Sequence, residues 1–273
     1  MTDTAPALFD RLADRCDQVV PFFAGFAGQL LDVLAPDPGT RLLDIGSGRG
    51  GGRAPRVRRH RGRRRAAHGV AARRGPPGDR RAADGRPPAR PARRLVRRGR
   101  GGFVIHLAAE PPRVLAGLRR ILRPGGGVAL TVPGPCEDHG RWDAWNALAA
   151  QFASRAAGRL PRRDYGVGPH LRAAGFERVR TVSLEVHLPV ASPQACWDFH
   201  MSHGFAALVE ALAPADAAEF RGRALAELAR MHESGGIVLD RGAVAYLATS
   251  PGAPGPGRDG DGCATDQEPA GRP

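Results

Sequence analysis

The chain has no lysine, although 41 of its 273 residues are basic. Exclusive use of arginine, together with 37 glycines and 25 prolines, is what very GC-rich coding produces, so it reports codon usage before it reports chemistry. Cysteine is scarce and scattered: Cys16, Cys136, Cys196 and Cys263 form no C-x-x-C pair. That spacing excludes a disulfide framework and gives no metal-ligand motif. The expectation is idle or buried thiols in a reducing compartment, and no metal. Long apolar runs are also missing, and the start, MTDTAPALFDRLADR, has no basic segment followed by an apolar one. A cytoplasmic location without a membrane partner is therefore expected.

Acidic residues are lacking from one stretch only. The formal charge is +14, which by itself suggests a nucleic-acid or membrane-surface partner. Yet residues 51–100 hold 19 of the 41 basic residues and two of the 27 acids, Asp79 and Asp84. The remainder is slightly acidic. From Gly51 to Gly102 there is no aromatic residue, no Ile and no Met, and the apolar residues larger than Ala are Val57, Val70, Leu95 and Val96. Such a stretch buries too little surface to offset the entropy of ordering it. Three readings stand: a solvated disordered loop, an arginine-rich arm for nucleic acid, and translation out of frame between two compensating frame changes. An arginine codon CGN read one base later gives Ala, Val, Gly, Asp or Glu. Applied to residues 90–102, RPARRLVRRGRGG, the shift admits DLPDGSFDAVVAG. The arm reading would need stacking aromatics or an ordered basic face, and offers neither.

What is present is one α/β domain, for which 42% hydrophobic content supplies a core. Helical spacing over 6–16 and 19–35 predicts two amphipathic helices. Residues 36–39, PDPG, turn the chain into a short buried strand at 40–45. That strand breaks into Asp44-Ile45-Gly46-Ser47-Gly48-Arg49-Gly50, where glycines let the backbone pass close to a ligand. Farther on, FVIHL at 103–107 reads as a strand, 111–122 as a helix, 123–126 as a turn and 128–132 as a strand, which is the βαβ unit of a parallel sheet. A helix is expected around 142–157, a helix end capped by Gly175, a strand at 179–188, helices through 193–233 and a last strand at 244–249. Residues 251–273 are expected to be a disordered tail.

LLDIGSGRG, FVIHL and VLAGLRRILRPGGGVALTVPG together resemble the class I S-adenosylmethionine-dependent methyltransferases, in particular the ubiquinone/menaquinone-biosynthesis-like group acting on small molecules. The resemblance covers roughly residues 8–50 and 103–250, and DLPDGSFDAVVAG is equally characteristic of the group. It implies a Rossmann-like, mostly parallel sheet with N-terminal helices as a lid and a helical insertion before the last strand. S-adenosylmethionine would be the cofactor, Asp44 would hold its amino group, and Gly46, Ser47, Gly48 and Gly50 would line its path. A plain strand-to-helix turn and a dinucleotide site (Gly46, Gly48, Gly51) are the alternatives for the same residues. The chain departs from the group in having no acid over 64–70, RRAAHGV, where the ribose is usually gripped, and in having Cys16 where relatives often have tyrosine.

The reaction implied is methyl transfer to O, N or C of a small organic acceptor, with no specific nucleic acid and no membrane involved. Methyl transfer needs an in-line nucleophile and, for acidic acceptors, a base. His106 is the candidate facing the acceptor, against the plainer reading of a strand-end histidine satisfied by backbone. His200 and His203 in WDFHMSHGF lie on a helical segment that in relatives helps cover the substrate, and either is a further catalytic candidate. Trp142, Trp145, Phe152 and Trp197 either line an apolar acceptor pocket or belong to the core. A non-catalytic remnant, its cofactor site damaged over 51–102, is the alternative from another class.

Overall fold

A computed structural model describes residues 5–12, 14–15, 17–46, 56–59, 96–108, 110–156 and 166–252. Ser47, Gly48, Gly50 and Cys16 lie outside the described residues, as do most of the arginine-rich stretch and the tail from 253.

Two helices open the chain, α1 (Ala5–Leu12) and α2 (Phe22–Leu34). Phe22, Phe26, Leu30 and Leu34 recur every four residues and form the buried stripe of α2. Its preceding residue, Pro21, offers no side-chain cap. Asp17 does so instead, accepting hydrogen bonds from the backbone N–H groups of Phe23 and Ala24, each at 2.8 Å. Strand β1 (Arg41–Ile45) follows, then β2 (Arg56–Arg59) and β3 (Val96–Gly102). Helix α3 (Pro111–Ile121) leads into β4 (Leu122–Gly134), α4 (Asp143–Ala153), α5 (Val167–Ala173) and β5 (Glu177–Val190). Helices α6 (Pro193–His200), α7 (Ala206–Glu210) and α8 (Pro214–Glu233) precede β6 (Ile237–Thr249).

The six strands form one sheet in the order β2-β1-β3-β4-β6-β5. Strands β1, β3 and β4 are mutually parallel. β6 is antiparallel to both β4 and β5, so β5 shares the direction of the central three. The sheet is thus mostly parallel in strand direction, with β2 and β6 reversed. Apolar clusters cover both faces. One gathers α2, α4, α6 and α8 around Trp142, Phe152 and Phe220; the other sets Leu115, Leu118 and Leu171 of α3 and α5 against β4. This is the Rossmann-like α/β class expected from the βαβ signal.

One expected element is displaced. FVIHL does not form the strand: Phe103 has φ +53°, which ends the extended run, and Ile105–Leu107 is a turn of 3-10 helix. The strand is β3, immediately before it, with the sequence VRRGRGG. It sits mid-sheet between β1 and β4 because its backbone groups satisfy both neighbours. Its own side chains contribute little. Gly99 and Gly101 are buried, and a Cβ built on them would come within 3.1 Å of Leu118 Cδ1 and 3.0 Å of Leu130 Cδ2 respectively. Residues 96–102 are also the part of the stretch that, read one base later, admits FDAVVAG among its codon choices, the apolar composition a strand buried on both faces requires.

Candidate active site

Asp44 closes β1 and is 8% exposed. Gly46 follows with φ +66°, and a Cβ there would stand 2.8 Å from that of Val104. The glycine is thus dictated both by backbone conformation and by the close approach of the chain leaving β3. Asp44 is in register with Arg100 of β3, whose Nη2 donates to Asp44 Oδ2 at 2.9 Å in a pair about one-sixth exposed. A carboxylate at the end of β1 therefore already holds a cation. That fits the residue for an ammonium group, and it places Arg100 as a competitor for the same oxygens.

His106 lies in the 3-10 turn beyond β3, at the same edge of the sheet as Asp44 and Gly46. Next to it an aromatic group joins three elements. Phe22, Phe23 and Phe26 of α2 all contact Phe103, with ring centroids 5.1–5.8 Å apart. Phe22 and Phe199 of α6 both contact His203, at 6.3 and 4.6 Å. His203 Nδ1 lies 2.7 Å from the Phe199 carbonyl oxygen, which only accepts, so Nδ1 carries the hydrogen and Nε2 is left as an acceptor. Burial, with a smaller push from Arg241, lowers its pKa to about 4, so at neutral pH the ring is uncharged.

His200 is more deeply placed. It is 3% exposed and stacks on Trp145 at 4.5 Å, and its Nε2 has no hydrogen-bond partner among the described residues. Burial, aided by Arg241 and His203, pushes its pKa well below the ordinary histidine value. Trp197 does not join the Phe103 group. It is 6% exposed and packs on Phe220 between α6 and α8. Trp142, Trp145 and Phe152 belong to that same apolar layer. Among the expected residues the structure thus brings Asp44, Gly46, His106 and His203 to one edge of the sheet, and it puts Trp197 in the packing.

Two contributors had no usable signal in the sequence. Arg100 is one of 19 basic residues in a patternless window. Arg241, whose guanidinium lies 4.3 Å over the Trp142 ring, follows an unremarkable strand residue.

No family model matches the chain. It is 32% identical to the Nocamycin O-methyltransferase of Saccharothrix syringae over 281 aligned residues, covering 88% of this chain and 96% of that protein. The chain belongs to the S-adenosylmethionine-dependent methyltransferases. Solved structures similar to this methyltransferase include one from Anaeromyxobacter dehalogenans described as a type II methyltransferase, 15% identical, with TM-score 0.38 and coverage of 59% of this chain and 66% of that one. Another is phosphoethanolamine N-methyltransferase 2 of Haemonchus contortus, bound to S-adenosylhomocysteine, 9% identical, with TM-score 0.26 and coverage of 57% and 33%. The chain thus spans between one third and two thirds of these solved proteins, and the family assignment rests on the sequence relative. As in the rest of that family, S-adenosylmethionine is the methyl donor. Among the described residues of the methyltransferase, no helix is long and apolar enough to cross a membrane.

Proposed function

We propose that this methyltransferase acts on a hydroxyl oxygen of a small organic acceptor, with the amino group of S-adenosylmethionine held at Asp44. Bound there, the cofactor would supply an electrophilic methyl group on a sulfonium, which an acceptor oxygen would take with the neutral thioether as leaving group. The acceptor proton passes to a base, and His106, beyond β3 on the side of Asp44, is the residue read into that role. Phe22, Phe103 and His203 form the apolar wall beside it. Ser47, Gly48 and Gly50 complete the cofactor turn in this reading and lie outside the described residues. The observation that carries the proposal is the Asp44 carboxylate, nearly buried at the end of β1 and already bonded to a cation at 2.9 Å. The oxygen acceptor is supported by the name of the relative.

A second reading is favoured by the same pair. Arg100 occupies Asp44, and in the one-base-shifted reading of residues 90–102 its place is taken by valine. The chain as written is then a weak cofactor binder whose site is blocked from within. Calorimetric titration with S-adenosylmethionine separates the two. Arg100→Val is expected to bind at least about tenfold more tightly than the unaltered chain, since a charge-assisted hydrogen bond is worth about 1.5–3 kcal/mol. Asp44→Asn is expected to bind more weakly than either. Equal affinity of the unaltered chain and Arg100→Val sinks the blocked-site reading; indifference to Asp44→Asn sinks the anchor.

A further inference from the structure

Cys136 lies 49 residues before Glu185 in sequence and is brought to Glu185 and His187 by the pairing of β4, β6 and β5. Gly242 of β6 is opposite Gly134 on one side and Glu185 on the other. A Cβ on Gly242 would collide with the Pro135 carbonyl and stand 3.0 Å from Cys136 N. The bare glycine is what lets the chain leaving β4 lie across β6 and carry Cys136 to the edge strand. Glu185 and His187 are two apart on β5 and so point to one face.

From this geometry we propose a binding site for a divalent transition metal of the zinc class, with Cys136 Sγ, His187 Nε2 and a Glu185 oxygen as ligands. One donor atom from each residue lies within 4.8 Å of the others. His187 Nε2 is 3.6 Å from Glu185 Oε2, close to the separation of about 3.4 Å for two ligands some 2.0–2.2 Å from a tetrahedral ion. The other imidazole nitrogen is already committed. Nδ1 donates to Asp240 Oδ1 at 2.7 Å, and Asp240, 4% exposed, is fixed in turn by Arg141. A carboxylate on the far nitrogen of a metal-binding histidine sets its tautomer and raises its basicity. It also leaves the Nε2 lone pair facing a carboxylate, an arrangement that a cation between them relieves.

A sulfur, nitrogen and oxygen set suits zinc or cobalt over magnesium or calcium, which take oxygen. Three protein ligands leave a fourth position for water or a ligand. His187 and Glu185 side chains are 51% and 40% exposed, so the ion has a path in. Glu185 and Asp240 set two carboxylates against His187, and surroundings of that charge favour a bound cation. On binding, the S–H bond breaks, the sulfur–metal bond forms, and the proton leaves to solvent.

The test is titration of the full chain with Co(II) alone, followed by near-ultraviolet thiolate-to-cobalt absorption and by the visible bands of a four-coordinate ion, then displacement with Zn(II). One equivalent is expected to bind with a thiolate band. Cys136→Ser should abolish that band, His187→Gln and Glu185→Gln should each weaken binding at least about tenfold, and Asp240→Asn about 10–100-fold. Circular dichroism melts establish that each variant is folded; the Glu185 variant alters an exposed side chain and the Cys136 variant exchanges one atom in a half-buried one, and these two suffice without the others. Absence of a thiolate band in the unaltered chain, or its persistence in Cys136→Ser, overturns the site. Neither outcome depends on cofactor binding or methyl transfer.

Discussion

Arg100 and Asp44 are registered neighbours on parallel strands, and their bond makes the proposed anchor of the cofactor also a structural pair. A part-buried pair of this kind resists removal of one partner, because the remaining charge is left desolvated. Asp44→Asn keeps one oxygen for Arg100 and is the gentler probe. The two histidines at the site invite different expectations. His106→Ala is expected to lower kcat by about 10²–10⁴-fold, the usual contribution of a positioned base, with the dissociation constant of the cofactor unchanged. His203→Gln leaves the reacting atoms alone and should raise KM for the acceptor more than it lowers kcat. Steady-state kinetics beside calorimetry distinguishes them, and an unaltered kcat in His106→Ala removes that residue from the mechanism.

Among the elements, α2 carries the aromatic wall, and its start depends on Asp17, which has φ +59° and two backbone hydrogen bonds. The residue at its N-cap, Pro21, makes no side-chain cap. Asp17→Ala is expected to cost about 1–2 kcal/mol of unfolding free energy, read by denaturant melts, and to loosen Phe22 and Phe23 against Phe103. Unchanged stability would show the cap to be dispensable. Strand β3 is the opposite case, held in the middle of the sheet by its neighbours despite three arginines and three glycines among seven residues. Its place was not legible at 96–102, because the apolar pattern that marks a buried strand is absent there and begins at Phe103. The periodic elements were legible: α2, α3, α5 and β5 fall within a few residues of their apolar patterns; residues 123–126, expected as a separate turn, instead lie inside β4 as an irregularity between Leu122 and Gly127, with Gly125 at φ +67°.

For the whole molecule, the buried histidines set the response to acid. His200 and His203 both have folded pKa values below the ordinary 6.5, His203 at about 4. The unfolded chain therefore binds more protons than the folded one below that value. Their contribution to stability is complete above pH 6.5 and is lost as pH falls toward 4. His187 shifts the other way, raised chiefly by its bond to Asp240, but it is exposed and its effect is screened. Between pH 7.5 and pH 5 the shift of His203 alone removes roughly 2 kcal/mol, so a melting temperature lower by at least roughly 4–8 °C at pH 5 is expected at about 2–4 °C per kcal/mol for a chain of this size. His200→Phe, which keeps a ring on Trp145 and removes a titrating group, should flatten the dependence. Equal slopes in both proteins would place the acid response elsewhere.

The amino-acid sequence by itself determined the class of fold and marked the end of the sheet at which the proposed site lies. An apolar strand ending in Asp44 and breaking at Gly46, followed by a strand-turn-strand unit, needs only local patterning to be read, since glycine conformation and apolar period are properties of neighbouring residues. Tertiary structure alone decided which groups meet. Whether Asp44 is free or bonded to Arg100, whether Trp197 faces a ligand or the core, and whether scattered Cys136, Glu185 and His187 share a site all depend on strand order and register. Those are contacts across long chain separations, for which no short window of sequence carries the information.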